Sequence, residues 1–426
     1  MIGVFALQTV NIKNGVNIHF IEGERFKTSL LTFNFSRPLQ NPEASYNALI
    51  PAVLRRGCNR YPKSSYLNTY LDDLYGASAS YAVKKKGANQ VVSMRFSTIC
   101  DSMAPDLKPF SKLCALAKQM IFNPYLPNDE FFDTDYVERE KINLIQFIES
   151  VINDKKEYAK KRLIEEMYKD ETFGIFEFGS IDDIKKITAK ELYEYYKKLL
   201  SSSTVDIFVS GKCDKEYITD VIKEAFEEIE VSSSGYTNKP FGKYNEDVKY
   251  ISETSDITQG KLSIGFKTEV TANHNLYFAM AVFNNLFGGS PHSKLFLNVR
   301  EKLSLAYYAN SGYDGHRGLV IVNCGIEFDK YEITLKEVLK QLDDIKSGSF
   351  TDEEISASIL AITGSHNAAK DSMSVMEEFC FGGIVSGLNM SLEDSVKKIN
   401  AVTRQDIIDA AKTVVLDTVF FLKGDE

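Results

Sequence analysis

At 426 residues the chain is too long for one compact hydrophobic core, which implies roughly two or three domains. With 44% hydrophobic and 26% charged residues it reads as an ordinary soluble globular protein, and its net charge of -9 argues against a general nucleic-acid binder. Six scattered cysteines without a C-x-x-C pair are the usage of free thiols in a reducing compartment. The first residues, MIGVFALQTVNIKNG, lack a basic n-region and a sustained apolar run, so no signal peptide is expected. No window approaches about eighteen uninterrupted apolar residues, so no membrane span is expected and a cytoplasmic location follows.

In chain order, Asn14-Gly15 marks a tight turn between LQTVNIK and VNIHFIEG, and SLLTFNFS alternates as a strand does. A helix around Ala48 ends at Gly57, and a second, SSYLNTYLDDLY, ends at Gly76 as a C-cap. ASASYAVKKK and ANQVVSMRFSTI read as paired strands, with Lys84-Lys85-Lys86 as a solvated turn between them. From 106 to 170 the pattern is helical, broken near Asn123-Pro124 and Pro127-Asn128. Within it, the acidic-basic run 148–174 reads by itself as a solvated helix. TVDIFVS is a strand that stops at Gly211.

Two passages then match. IKKITAKELYEYY (184–196) and INAVTRQDIIDAA (399–411) share the form I-x-x-[IV]-T-x-x-[DE]-[LI]. Each sets a Thr (Thr188, Thr403) three residues before an acid (Glu191, Asp406), a helix-start capping pattern. Each leads to a strand ending in Gly, at Gly211 and Gly424. KLSIGFKTEV likewise mirrors SLLTFNFSRP, and a helix ending at Gly288-Gly289 mirrors the one ending at Gly57. That glycine pair reads as a helix C-cap, with a hinge or a close backbone approach as alternatives. The repeat implies an internal duplication: an N-terminal half, 1–230, a Ser/Gly/Pro-rich linker, 231–247, and a C-terminal half, 248–426. Each half carries antiparallel strand signals with helices gathered between them, an α+β layering with helices on one face of a sheet.

The stretch Ala44–Pro62, ASYNALIPAVLRRGCNRYP, resembles the metal-binding helix of the insulinase-like (pitrilysin-type) zinc peptidases. In that family an inverted H-x-x-E-H motif precedes a Gly and a short stretch ending near a Pro. Aligned on Gly57, the motif positions are Ala48, Pro51 and Ala52, which can neither ligate a metal nor accept a proton. The family's third ligand is the last Glu of E-R-x-x-x-x-x-E. Glu138 and Arg139 are kept here, but the ligand position is Ile145. Glu149, one turn on, reads as a solvated helix face. None of His19, His274, His292, His316 and His366 pairs with another at helical spacing, so no substitute metal site is expected. The resemblance covers essentially the whole chain and implies a clamshell of two halves without its own peptidase centre.

In the second half, SKLFLNVREKLSLAYYANSGYDG (293–315) resembles the family's [LF]-x-x-L-R-E-x-x-x-L-A-Y stretch. In family members this supplies an Arg and a Tyr that reach the bound peptide near the scissile bond; both are present, as Arg300 and Tyr307. Read without the family, Arg300 suits a helix C-terminus and Tyr307 a core aromatic on the next strand. The resemblance implies a non-proteolytic subunit of a heterodimeric peptidase. A homologous partner would carry H-x-x-E-H and the zinc, and this chain would hold no cofactor. The substrate would be an extended peptide held along a sheet edge. The rival reading is a structural or peptide-binding scaffold without a catalytic role. An active hydrolase of altered chemistry is the least supported, because no nucleophile–base pair is visible. A homodimer of the isolated chain stays open.

Overall fold

The computed structural model describes residues 7–23, 25–237 and 247–424. Strands β1 (Leu7–Lys13), β2 (Val16–Ile21) and β3 (Thr28–Pro38) come first, then helices α1 (Glu43–Leu54) and α2 (Ser64–Asp73). Next are β4 (Ser78–Lys86), β5 (Asn89–Ile99), α3 (Pro109–Phe122), α4 (Thr134–Asn153) and α5 (Lys155–Met167). They are followed by α6 (Ile181–Lys186), α7 (Ala189–Ser202), β6 (Thr204–Ser210) and α8 (Lys215–Ala225). Past the joint lie β7 (Lys249–Thr254), β8 (Gly260–Lys267) and α9 (Tyr277–Asn284), then two π-helical turns, Asn285–Gly289 and Leu295–Lys302. The remaining elements are β9 (Ala306–Asp314), β10 (Leu319–Ile326), α10 (Tyr331–Lys346), α11 (Asp352–Ala369), α12 (Met373–Ser386), α13 (Leu392–Asn400), α14 (Arg404–Lys412) and β11 (Val415–Lys423). Residues 238–246 of the expected linker lie outside the described residues.

The chain forms two compact units. Unit 1 comprises Met1–Ile148, Ile175–Thr237 and Ser372–Gly382; unit 2 comprises Glu149–Gly174, Asn238–Asp371 and Gly383–Glu426. The six-stranded sheet of unit 1 has the order β1-β2-β6-β3-β5-β4, and the five-stranded sheet of unit 2 has the order β7-β11-β8-β10-β9. The second order reproduces β2-β6-β3-β5-β4 strand for strand, including a parallel first pair and antiparallel pairs after it. Thr188 and Thr403 each close a complete capping box, with Glu191 and Asp406 respectively. These two helix starts and the matching sheets are the duplication, now in three dimensions.

One face of each sheet carries most of the helices. In unit 1 the alternate residues Leu31, Phe33 and Phe35 of β3 and Val92, Met94 and Phe96 of β5 pack with α1, α3 and α7 in one core. In unit 2 Leu262, Ile264 and Phe266 of β8 do the same beneath α9, α10 and α14. Strand residues point alternately to opposite faces, so the intervening residues form a second face, and much of it is buried as well. In unit 1 that face is polar, with Thr32, Asn34, Ser36, Ser93, Asp206 and Ser210 all buried.

The units differ from the halves 1–230 and 248–426 at 149–174 and 372–382, each of which packs with the other half's sheet. Two expectations change here. Helix α5, expected to be solvated, buries Ala159, Leu163 and Met167 against Leu319, Ile321, Phe420 and Leu422 on the second face of unit 2. Gly265 makes room for it, since a Cβ there would come within 2.6 Å of the Met167 sulfur. Lys84-Lys85-Lys86 is likewise no solvated turn but the end of β4. Lys84 and Lys86 both pair with Glu378, and Lys85 with Glu177 at 3.7 Å. Burial alone would raise the Glu378 pKa, but the two ammonium groups bring it down to about 2.

Candidate functional site

The degenerate metal position lies on α1. Every residue of this helix except Tyr46 is buried, and Leu49, Ile50, Val53 and Leu54 belong to the unit 1 core. Ala48 is 3% and Ala52 7% exposed, and Pro51 is buried between them. Gly57 is required where the chain turns back, because a Cβ there would strike the Tyr61 and Pro62 carbonyl oxygens at 2.7 and 2.5 Å. This close approach underlies the Gly-to-Pro spacing read from the sequence. Ile145, half-buried on α4, adds a further methyl-bearing side chain, and Glu149 is exposed. Methyl groups and a pyrrolidine ring offer zinc no donor atom. These four positions therefore do not fit zinc, and among the described residues no group of three His, Cys, Asp or Glu is placed to hold a metal.

An ion pair links the two helices instead. Arg56, just past α1, binds the Glu140 carboxylate on α4, whose second oxygen accepts from Asn143 at 3.1 Å. Lys141 of α4 donates to the Ile187 carbonyl at 2.9 Å and the Lys185 carbonyl at 3.1 Å. Arg55 donates to the Ala79 carbonyl of β4 at 2.7 Å. His19 is a satisfied core residue: its ring meets Asp206 at 2.6 Å and Thr9 at 2.9 Å.

Arg300 and Tyr307 lie on unit 2 and both are exposed. Arg300 sits near the end of the π-helical turn Leu295–Lys302, with its guanidinium 4.6 Å from the Phe296 ring centroid and 3.5 Å from Glu301. The wider turn leaves Leu303 and Leu305 bonded back to Asn298 and Val299 at 3.1 and 2.9 Å. Ser304 then takes a left-handed φ of 51°, unfavourable for a residue with a Cβ, and reverses the chain into β9.

Tyr307 occupies a β-bulge. Ala306 pairs with Ile326 and Tyr308 with Gly325, so Tyr307 is the extra residue of the edge strand. Tyr308 turns inward over Gly325, whereas Tyr307 is 59% exposed, its hydroxyl 3.4 Å from Glu327. The reading of Tyr307 as a core aromatic is therefore wrong, because the bulge re-aims it outward. Gly288 is no left-handed C-cap either. It allows a close approach, since a Cβ there would lie 2.6 Å from the Ser311 nitrogen of β9. The π-turns, the bulge and the strained Ser304 carried no sequence signal beyond the Gly pair. Such irregularities recur where side chains must be aimed for function.

The arrangement matches known proteins along its length. The family model described as Peptidase M16 inactive domain matches residues 186–361. The "Probable inactive metalloprotease YmfF" of Bacillus subtilis is 36% identical over 413 residues, covering 97% of this chain and 96% of that protein. The mitochondrial-processing peptidase subunit beta of Saccharomyces cerevisiae is 24% identical over 297 residues, covering 65% of this chain and 63% of that one. A solved structure of a conserved protein from Enterococcus faecalis superposes with a TM-score of 0.90 at 30% identity, covering 98% and 99% of the two chains. Whole-length similarity, paired sheets and a motif helix whose ligand positions hold no donor lead to one assignment: the chain belongs to the M16, insulinase-like, family of zinc peptidases as a non-catalytic member lacking H-x-x-E-H.

Proposed function

We propose that this chain is the non-proteolytic subunit of a two-chain zinc peptidase, presenting Arg300 and Tyr307 to a peptide held at the partner's metal. The observation that carries the reading is the aim of these two side chains. Both are exposed, and Tyr307 owes its exposure to a bulge that a merely structural strand has no need of. A guanidinium can donate to substrate carbonyls, and a phenol can donate to the oxyanion that forms as water attacks. The partner would be a homologue with an intact H-x-x-E-H and its zinc, and the substrate an extended peptide paired with a sheet edge. The name of the yeast relative, a peptidase subunit, supports a multi-chain assembly. No helix of the described residues is long and apolar enough to cross a membrane, and the scattered free cysteines support a cytoplasmic setting.

The stacking of Arg300 on Phe296 and the Tyr307–Glu327 contact favour a second reading, a peptide-binding scaffold in which both residues serve only the fold. Peptide cleavage by heterodimer reconstituted with an H-x-x-E-H homologue separates the two. Removing one transition-state donor costs about 3 kcal/mol, on the order of a hundredfold in rate. Arg300→Ala should lower binding and turnover, and Tyr307→Phe mainly turnover, with assembly and melting temperature unchanged. Unchanged turnover per assembled complex with lowered melting temperature favours the scaffold.

A further inference from the structure

Helix α5 leaves part of the second face of the unit 2 sheet open. Between its first turns and the sheet edge lies a groove of about 580 Å³, within the range of roughly 300–1,000 Å³ typical of ligand sites. Its floor is three cross-strand pairs of β9 and β10: Asn310 with Asn323, Gly312 with Ile321, and Asp314 with Leu319. At a rise of about 3.4 Å per residue this stretch is about 14 Å long, room for about four extended residues. Lys156, Lys160 and Ile164, one helical turn apart in succession on α5, form one wall.

The groove is chemically polarised. Lys156 lies 5.1 Å from the ring centroid of Tyr308, two residues before Asn310, so its ammonium stands at the asparagine end, with Lys160 one helical turn further along the wall. Phe173 lies 4.9 Å from the Arg317 guanidinium, past Asp314, so Phe173 marks an apolar end with Leu319. The groove's own carboxylates already have partners. Glu157 makes only a long, exposed i,i+3 pair with Lys160 at 3.6 Å, which a bound carboxylate would share, and Asp314 accepts the His316 backbone N–H at 2.8 Å. A Cβ built on Gly312 would meet nothing within 4 Å, so the strand backbone is open to close approach at mid-groove.

We infer that this groove binds the carboxyl-terminal end of an extended peptide, with the terminal carboxylate between Lys156 and Lys160 and apolar side chains toward Phe173. Ammonium groups bind a carboxylate by charge-assisted hydrogen bonds. Two carboxamides on neighbouring strands can each donate to and accept from a peptide main chain. Asn323 uses its carbonyl oxygen toward Ser263 at 2.9 Å, a bond that does not engage its amide hydrogens. A fatty acid would satisfy the lysines and the apolar end but not the carboxamides, so a peptide is the better match. The assignment takes its ligand class from the peptidase-subunit reading. It needs neither a partner nor Arg300 and Tyr307.

The test is fluorescence anisotropy on the purified full chain alone, with fluorescein-Gly-Ala-Leu-Ala-Leu as the free acid and as the C-terminal amide. The free acid should bind saturably and the amide on the order of tenfold more weakly or worse. Lys156→Glu with Lys160→Glu should abolish the preference for the acid. Gly312→Val should block binding with an unchanged melting temperature, and it stands as the deciding variant if the double change impairs folding. Equal binding of acid and amide, no saturable binding, or binding retained in Gly312→Val overturns the inference. So does displacement of the peptide by sodium decanoate at lower concentration than by the unlabelled peptide. Normal groove binding with inactive reconstituted heterodimer would fault the subunit reading alone, and active heterodimer without groove binding would fault the groove alone.

Discussion

Glu377 is the polar centre of the second face of unit 1, and replacing it should be costly. The residue is 2% exposed. Its Oε1 accepts from Ser210 at 2.7 Å, and its Oε2 accepts from Thr32 at 2.9 Å and from Arg95 at 3.2 Å. In Glu377→Ala the Ser210 and Thr32 hydroxyls, 0% and 3% exposed as residues, lose their acceptor at about 1–3 kcal/mol each. The Arg95 side chain is 36% exposed and can return to water, so it adds little. The sum is about 2–6 kcal/mol, read by urea denaturation, with proteolytic cutting within 372–382 as a local report. Glu377→Gln keeps acceptor and size and should cost about 1 kcal/mol. Its pH dependence is the sharper test. Burial raises the Glu377 pKa above 4.5 despite donors from Ser210, Arg95 and Thr32. A carboxyl raised in the folded state contributes stability that is complete below its unfolded pKa and is lost as pH rises through the folded value. Glutamine does not titrate, so its deficit against the native chain should be greatest near about pH 4 and shrink toward neutrality. A pH-independent deficit, or a wild-type stability for Glu377→Ala, would refute the reasoning.

Arg56→Ala removes the tie between α1 and α4 and leaves Glu140, whose side chain is 9% exposed, with Asn143 alone. We expect a loss of about 1–3 kcal/mol by urea titration. Gly288→Ala forces a Cβ to 2.6 Å from a β9 backbone nitrogen and should cost about 1–3 kcal/mol, whereas Gly312→Ala in open space should change stability little; circular dichroism melts of the pair decide it. Thr188→Ala and Thr403→Ala each break a capping box and should each lower stability by about 1 kcal/mol. Unequal losses, measured by the same titration, would show that the two boxes no longer serve the same role in each unit.

Much of this molecule could be read from the chain because the determining forces were local. The boxes at Thr188 and Thr403 each close within three residues, and the Asn14-Gly15 turn joins β1 to β2 with Gly15 at a φ of 75°. The lack of donor atoms at the aligned motif positions was equally legible, because the side chains of Ala48, Pro51, Ala52 and Ile145 cannot ligate in any conformation. Repetition of these local signals disclosed the duplicated α+β plan. The tertiary structure alone decided what covers the second face of each sheet. Alternation tells which strand residues share a face, but not that Thr32, Asn34 and Ser93 are buried or that Thr32 bonds Glu377, distant in sequence. Lys84 reads as solvated for the same reason, its partner Glu378 being 294 residues away. The outward aim of Tyr307 depends on one unpaired residue in the register with β10, and the close approach of Gly288 depends on Ser311 of β9. Each of these outcomes rests on contacts between segments far apart in the chain, where neither periodicity nor spacing carries information.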